Sequence, residues 1–229
     1  MEDDMTAETW ELILESFTKI LVPGLLMTIP LTVLSFAIAM VIAVAVALIQ
    51  YANIPVLKQI CRFYIWIIRG TPLLVQLYIG FFGLNNIGFS IQPFAAAVLV
   101  FSINEGAYCA ETIRGSLEAV SKGQLEAGYC CGMNFLQIMM HIVLPQAFRS
   151  AFPALFNSLI GMVKDTSLAS NITVTEMFQK TMQIAGRTYK FMPLYLELAF
   201  IYLMFCTILT WVQRWSEKKL SHYDAQGGK

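Results

Sequence analysis

The chain has 229 residues, of which 57% are hydrophobic and only 13% charged, and its mean hydropathy is +0.64. So few charges cannot cover the apolar surface of a soluble protein, so we expect lipid to be its solvent. The formal net charge is zero and no basic stripe interleaved with aromatic residues occurs, which excludes nucleic acid as a partner.

Residues 1–22 form an acidic N-terminal segment. They carry Glu2, Asp3, Asp4, Glu8, Glu11 and Glu15 where a signal peptide needs lysine or arginine. The apolar run that follows is also too long for the core of a signal peptide. We therefore expect no cleavable signal.

Four later segments are long and apolar enough to cross a bilayer, which takes about 20 residues of helix. They are residues 23–50, 63–82, 91–110 and 194–213. The second contains Arg69, and Pro72 predicts a kink in it because proline removes one helical hydrogen bond. Ordinary helix irregularity is the alternative reading of Pro72.

A fifth span, fourth in chain order, is harder to place. Only residues 150–163 lie between Arg149 and Lys164, and they make a helix of about 21 Å. That is short of a hydrocarbon core of about 30 Å. The helix either begins early, near Pro145, or continues through Lys164 and Asp165 towards Asn171. With five spans, residues 23–213 form the membrane domain.

Basic residues predict the orientation, because they concentrate on the cytoplasmic side. Five spans would place unequal numbers of basic residues on the two sides of the membrane. The larger set is Lys58, Arg62, Arg114, Lys122, Arg149, Arg214, Lys218, Lys219 and Lys229; the smaller is Lys19, Lys180, Arg187 and Lys190. We predict a multi-pass protein of the bacterial cell membrane, with residues 1–22 outside, and with a polar insert at about 114–145 and a basic tail at 214–229 in the cytoplasm.

The insert contains a spaced motif. Its residues are Glu126, Ala127, Gly128, Gly132, Ile142, Leu144 and Pro145. The motif resembles the EAA loop of permease subunits of ATP-binding-cassette (ABC) importers, except that Gly128 stands where that family has alanine. Two further runs, Arg69-Gly70-Thr71-Pro72-Leu73 and Lys164-Asp165-Thr166-Ser167-Leu168, are similar to the polar amino acid branch of the family, which includes histidine, glutamine and cystine permeases.

This resemblance implies an all-α membrane protein with five transmembrane helices and a cytoplasmic coupling helix, the type I ABC importer fold. The implied partners are cytoplasmic ATPase subunits, an external substrate-binding protein or domain, and a second permease copy, identical or homologous. Residues implied to couple to the ATPase are Glu126, Ala127, Gly128, Gly132, Leu144 and Pro145.

The residues of the insert support a stiff element independently of the resemblance. Residues 116–131 can form a short helix, Gly132 allows a turn, and Pro145 suits the first turn of the next helix because its missing N–H is unpaired there. The alternative is an amphipathic segment that only rests on the membrane. The glycines argue against it, since each weakens a helix by roughly 1 kcal/mol relative to alanine.

Ionisable residues within spans are costly and are usually functional. An amino acid carries one ammonium and one carboxylate, so its pathway needs both signs of charge. We predict a pathway or gate formed by Arg69, Thr71, Pro72, Glu105, Lys164, Asp165, Thr166 and Ser167. The alternative is that these charges pair with one another, Arg69 with Glu105 for example, or that Arg69 reaches to the interface.

No metal site, cofactor or catalytic constellation is expected, and no glycine-rich ATP-binding loop occurs, so ATP hydrolysis is assigned to a separate subunit. The predicted function is uptake of a polar amino acid. Residues 183–188 resemble cystine permeases, which makes cystine the first candidate. The alternative is a stand-alone ion-coupled secondary transporter or channel, which would need more spans and inverted repeats.

Overall fold

A computed structural model describes the backbone of residues 2–227 and the side chains of residues 8–220. The side chains of Glu2, Asp3, Asp4 and Lys229, used above, lie outside the described residues. The described backbone is helical, which confirms the all-α prediction. Its helices are α1 (Glu2–Pro23), α2 (Ile29–Tyr51), α3 (Pro55–Gly70), α4 (Leu73–Tyr78), α5 (Leu84–Asn86), α6 (Pro93–Glu118), α7 (Lys122–Cys130), α8 (Phe135–Ile138), α9 (Leu144–Asp165), α10 (Met177–Thr188) and α11 (Phe191–Gly227).

The predicted N-terminal segment and first span belong to one continuous helix. A π-helical turn, Gly24–Thr28, joins α1 to α2, and the Ile29 N–H donates to the Gly24 carbonyl five residues back. Pro30 follows and has no N–H to donate, so the wider turn accommodates it. Residues 8–51 of this helix are about 66 Å long, more than twice the hydrocarbon thickness.

The second predicted span is broken rather than kinked. α3 ends at Gly70, and Thr71 is extended with φ −122° and ψ 144°. Pro72 causes this, because its ring disfavours helical backbone in the preceding residue. The Thr71 hydroxyl donates to the Ile67 carbonyl at 2.9 Å and satisfies one open end of α3.

Three described helices are long and apolar enough to cross a membrane: Glu8–Tyr51, Pro93–Glu118 and Phe191–Leu220. A fourth is present if Pro55–Gly70 and Leu73–Asn86 count as one bent span. α9 is not among them; it carries Arg149, Lys164 and Asp165. The number of five spans therefore stays a prediction.

The helix that contains the fourth predicted span is longer than either alternative proposed for it. It starts with α8 at Phe135, passes through a π-helical turn at Met139–Val143, and continues as α9 to Asp165, where a 3₁₀ helix takes over. Pro145 is the second residue of α9, in the first turn as expected, but the π-helical turn joins α9 to helical backbone before it. As at Pro30, the residue before the proline, Leu144, donates to a carbonyl five residues back.

The described chain folds as two compact units, each assembled from three segments. The first unit comprises Met1–Ser35, Leu73–Val100 and Ile160–Trp211, and the second comprises Phe36–Pro72, Phe101–Leu159 and Val212–Lys229. The core of the second unit is rich in alanines, which allow close approach of helices in lipid: Ala43, Ala47, Ala107, Ala110, Ala147 and Ala151. The second unit contains the polar insert.

Candidate coupling loop and charged clusters

The helix predicted over residues 116–131 is divided, because α6 continues to Glu118 and α7 covers only Lys122–Cys130. The Glu126-Ala127-Gly128 part of the motif lies in α7, which packs against the start of the following long helix. In α7, Glu126 and Ala127 are exposed, whereas Gly128 is buried. A Cβ atom on Gly128 would lie 2.8 Å from Ile138 Cγ1 and 3.3 Å from Ile142 Cδ1. Only a glycine lets α7 approach this closely, which explains why Gly128 departs from the alanine of the resembling loop.

We expect Gly128→Ala to lower the free energy of unfolding by about 1–2 kcal/mol, because the fully buried Ile138 side chain must move to admit a methyl group. Gly123→Ala is the matched control in the same helix. Its added Cβ would meet nothing closer than 3.6 Å, and alanine there gains up to about 1 kcal/mol in helix propensity. Thermal unfolding of the two variants in detergent should shift in opposite directions.

Gly132 closes α7 in a Schellman motif. It has φ +76°, its N–H donates to the Tyr129 carbonyl at 2.9 Å, and the Met133 N–H donates to the Gly128 carbonyl at 3.0 Å. Glycine adopts this left-handed backbone without the steric cost of a Cβ. The predicted turn at Gly132 is confirmed.

Gly132→Ala should cost about 1–2 kcal/mol, purely through backbone strain, because nothing lies within 4 Å of the added methyl group. Gly132→Asn should cost less, since asparagine tolerates the left-handed region better. Gly115→Ala in α6, a glycine with equally open surroundings and ordinary φ, serves as control. Equal melting temperatures for the three variants would contradict the strain argument.

An asparagine that the sequence analysis did not single out fixes the beginning of α8. The Asn134 side chain accepts from the Gln137 N–H and the Gln137 side chain accepts from the Asn134 N–H, both at 2.9 Å. This is a capping box, and its N-x-x-Q spacing could have revealed it. The capped start of α8 directly follows the Schellman turn that ends α7. α7 is therefore fixed at its C-terminal end by this turn and on one face by the packing of Gly128 against Ile138.

The outer side of this region is exposed and partly apolar. Tyr129, Phe135, Leu136 and Met140 are each about half or more exposed, and so is the carboxylate of Glu126. A concave site of about 500 Å³ is lined by Glu126 and Tyr129 of α7 together with Glu118 of α6. Apolar surface in an otherwise polar segment indicates a surface for a partner.

The first of the predicted pathway residues, Arg69, pairs with a different carboxylate from the one considered above. Its Nη1 lies 3.9 Å from Glu111 Oε2, and its guanidinium lies 5.1 Å from the centroid of the Tyr108 ring. Glu105 accepts a hydrogen bond from the Cys109 thiol at 3.4 Å. The Arg69–Glu105 pair considered from the sequence is therefore not the one that forms.

Arg114 in α6 makes four ionic hydrogen bonds to two glutamates of the same helix. It donates to Glu111 from Nε and Nη2 at 3.0 and 2.9 Å, and from Nη1 to both oxygens of Glu118 at 2.8 Å. Bidentate geometry of this kind is among the strongest for ion pairs. The i, i+3 and i, i+4 spacing in α6 could have predicted it.

In the first unit, Lys164 and Asp165 are exposed residues at the end of α9. The Thr166 and Ser167 hydroxyls donate to the carbonyls of Val163 and Lys164 at 2.6 and 2.7 Å, and so satisfy the open end of this helix. Lys164 and Ser167 also line a mainly apolar cavity of about 570 Å³ whose other walls include Phe178, Tyr195 and Tyr202.

A buried carboxylate, Glu176, was missed by sequence reasoning. It caps α10: Oε2 accepts from the Phe178 N–H and Oε1 from the Gln179 N–H, both at 2.8 Å, and the Tyr202 hydroxyl donates to Oε2 at 3.2 Å. Burial raises the pKa of Glu176, while these hydrogen bonds oppose the shift. Glutamate is an unusual helix cap, so no sequence signal identified it.

Comparison with known proteins gives consistent results. Residues 39–222 match the sequence model described as "Binding-protein-dependent transport system inner membrane component". The chain is 44% identical over 222 residues to the L-cystine transport system permease protein TcyB of Bacillus subtilis (strain 168), covering 96% of this chain and 95% of that protein. It is 37% identical to the probable amino-acid ABC transporter permease protein YckA of the same organism, covering 93% and 94% of the two chains.

A crystal structure of an amino acid ABC transporter with histidines superposes with a TM-score of 0.84 at 33% identity, covering 90% of this chain and 96% of the other. The importer fold implied by the resemblance is thereby confirmed. The stand-alone secondary transporter has no support from these relatives. With its α7 loop and its long apolar helices, the chain belongs to the family of inner membrane components of binding-protein-dependent transport systems.

Proposed function

We propose that this chain is the membrane-spanning permease subunit of an ATP-driven importer for a polar amino acid, and that cystine is its substrate. The substrate class is supported by the names of the relatives, several of which are amino acid permeases. Cystine is supported by the 44% identity to a cystine permease over nearly the whole chain.

The coupling role in this proposal rests on the way α7 is attached to the helix that follows it. Gly128 packs it against Ile138, and Gly132 joins it by a tight turn to the helix that leads into α9. A partner that binds the exposed side at Glu126, Tyr129 and Leu136 therefore moves α7 together with the helix that leads into α9. We assign this binding to a cytoplasmic ATPase subunit, with ATP hydrolysis in that subunit and not in this chain.

The remaining parts of the assembly follow from the same proposal. Two copies of the chain, or one copy and a homologue, enclose the path, and an external binding protein delivers the amino acid. The C-terminus lies in the cytoplasm and residues 1–22 lie outside. Arg69 and Glu105 in the second unit and Lys164 and Asp165 in the first supply both signs of charge along the path or its gate.

The test is reconstitution of the full-length permease in liposomes with the ATPase and the binding protein. Glu126→Ala should abolish most cystine-stimulated ATP hydrolysis, while the external binding protein should still bind to the permease. The matched control is Glu11→Ala, at an exposed glutamate of α1 that forms no ion pair with the side chains of residues 8–220; it should leave the stimulated rate unchanged. Uptake that persists without the ATPase refutes the proposal.

The substrate assignment is tested separately in the same liposomes. Cystine should stimulate hydrolysis and be taken up, whereas arginine or histidine should not compete at equal concentration. If another amino acid stimulates hydrolysis and cystine does not, the substrate is reassigned while the permease role stands.

A further inference from the structure

A polar cavity in the second unit is used by neither the coupling loop nor the proposed path. It measures about 290 Å³ and lies where the end of α2, the start of α3 and the end of α6 meet. Its cationic walls are Lys58, Arg62 and Arg114. It shares Glu118 with the concave site beside α7, so both lie at the same end of this unit.

The two carboxylates that line the cavity are neutralised by one arginine, whereas two of its three cations are not paired with a carboxylate of residues 8–220. Glu111 and Glu118 also line it, but Arg114 binds both carboxylates through four hydrogen bonds of 2.8 to 3.0 Å. Arg62 is exposed and makes no hydrogen bond or ion pair within the described side chains. Lys58 donates one proton to Asn53 Oδ1 at 2.6 Å, which leaves two ammonium protons available. The free charge facing the cavity is therefore positive.

A buried amide adds an independent indication of a ligand. Gln50 is only 7% exposed and lines the cavity; its Nε2 makes no hydrogen bond of regular geometry within the described residues, although the Glu111 carboxylate lies within reach of its side chain. A buried amide whose one neighbouring acceptor is poorly aligned is incompletely satisfied, so it can also donate to an acceptor from outside the chain. An amide N–H beside two free cations suits an oxyanion.

The helix that carries both cations has the character of an interfacial helix. Its exposed side is apolar, with Val56, Ile60, Phe63 and Trp66 each more than half exposed. By the helical period, Lys58 and Arg62 lie one turn apart along the border between this apolar side and the buried side at Cys61 and Ile65. Apolar side chains that enter the acyl region beside a row of cations are typical of helices that bind anionic lipid.

We propose that this cavity binds the phosphate of an anionic phospholipid headgroup, with Arg62 and Lys58 as the charged contacts and the Gln50 amide as a hydrogen-bond donor. Trp66, which borders the cavity, lies at the headgroup level, where tryptophan is enriched. With the cytoplasmic orientation proposed above, the lipid belongs to the inner leaflet. The bound headgroup would lie next to α7, so lipid charge would act on the end of the unit that contains the coupling loop.

The test uses native mass spectrometry of the full-length chain offered equal amounts of phosphatidylglycerol and phosphatidylcholine. The wild type should retain phosphatidylglycerol preferentially. Arg62→Gln should weaken its binding about fivefold, the expected effect of one cation near a lipid surface, and Arg62→Lys should restore most of it. Arg214→Gln removes an exposed arginine of α11 that has no partner among the side chains of residues 8–220, and it should leave lipid binding unchanged.

Three outcomes overturn the proposal. The first is equal retention of phosphatidylglycerol by the wild type and Arg62→Gln. The second is a loss in Arg62→Gln that Arg62→Lys does not restore. The third is displacement of the lipid by excess inorganic phosphate that itself binds through Arg62, which would assign the cavity to a soluble anion. Since none of these measurements involves transport, the result is independent of the proposed function.

Discussion

Replacement of Arg114 by methionine should lower the free energy of unfolding by about 2–3 kcal/mol. The variant loses four charge-assisted hydrogen bonds and leaves Glu111 and Glu118 as two adjacent carboxylates without their shared cation. Breaking a fully buried ion pair costs about 3–5 kcal/mol. Arg114 and Glu111 are partly exposed and Glu118 is half exposed, so solvent reduces the effect.

The measurement is thermal unfolding in detergent, where this loss corresponds to a fall in melting temperature of about 4–12 °C for a chain of this size. Arg114→Lys keeps the charge but loses the bidentate geometry, and should fall between the wild type and methionine. Arg214→Met, at an exposed arginine of α11, should stay within about 0.5 kcal/mol of the wild type. If Arg114→Met and Arg214→Met have the same melting temperature, the ionic cluster does not stabilise the fold.

Glu176→Ala should cost about 2–4 kcal/mol. It removes the cap of α10, which leaves the Phe178 and Gln179 N–H groups unpaired, and it also removes the acceptor of the Tyr202 hydroxyl. Loss of a helix cap costs about 0.5–2 kcal/mol, and a buried hydroxyl without a partner costs about 1–3 kcal/mol. The matched control is Glu8→Ala, at an exposed glutamate of α1, which should unfold close to the wild-type temperature.

The pH dependence of stability tests the ionisation of Glu176 itself. Because burial raises the pKa of this carboxyl above its ordinary value of 4.5, the folded state binds the proton more tightly than the unfolded state. Its contribution to stability is therefore full below the ordinary pKa and is lost as the pH rises through the raised pKa. Glu176→Gln cannot ionise, so its stability should change less with pH than that of the wild type; parallel pH profiles would contradict the assignment.

The sequence predicted the features that depend on composition and on local backbone chemistry. Long apolar stretches predicted helices in lipid, and Gly132 predicted a turn because its position in the motif follows a helix-forming segment. Pro72 was placed correctly at an interruption, but its effect was underestimated. A proline acts on the residue before it as well, and the extended Thr71 ends α3 altogether.

Features that depend on tertiary contacts could not be predicted in the same way. Glycine stands at position 128 where the family has alanine, and only the close contact of this position with Ile138 explains why. The pairing of Arg69 with Glu111, in place of Glu105, depends on which side of α6 faces α3. Glu176 was missed because glutamate is an unusual helix cap, and because its third donor, the Tyr202 hydroxyl, comes from a distant part of the chain that only the folded first unit brings to it.

The π-helical turn at Met139–Val143 has a consequence for how the chain could be shortened. One residue of an α-helix corresponds to about 100° of rotation and 1.5 Å of advance along the axis. Deleting one residue here would restore a regular helix, and the chain could absorb the loss without unravelling. The π turn holds one residue more than the α-helical turn it replaces, so the later side chains would keep their directions, and Ala147, Ala151 and the contact of Gly128 with Ile138 would still be satisfied together. The same deletion in the regular helix beyond Leu144 would turn every later side chain by about 100°.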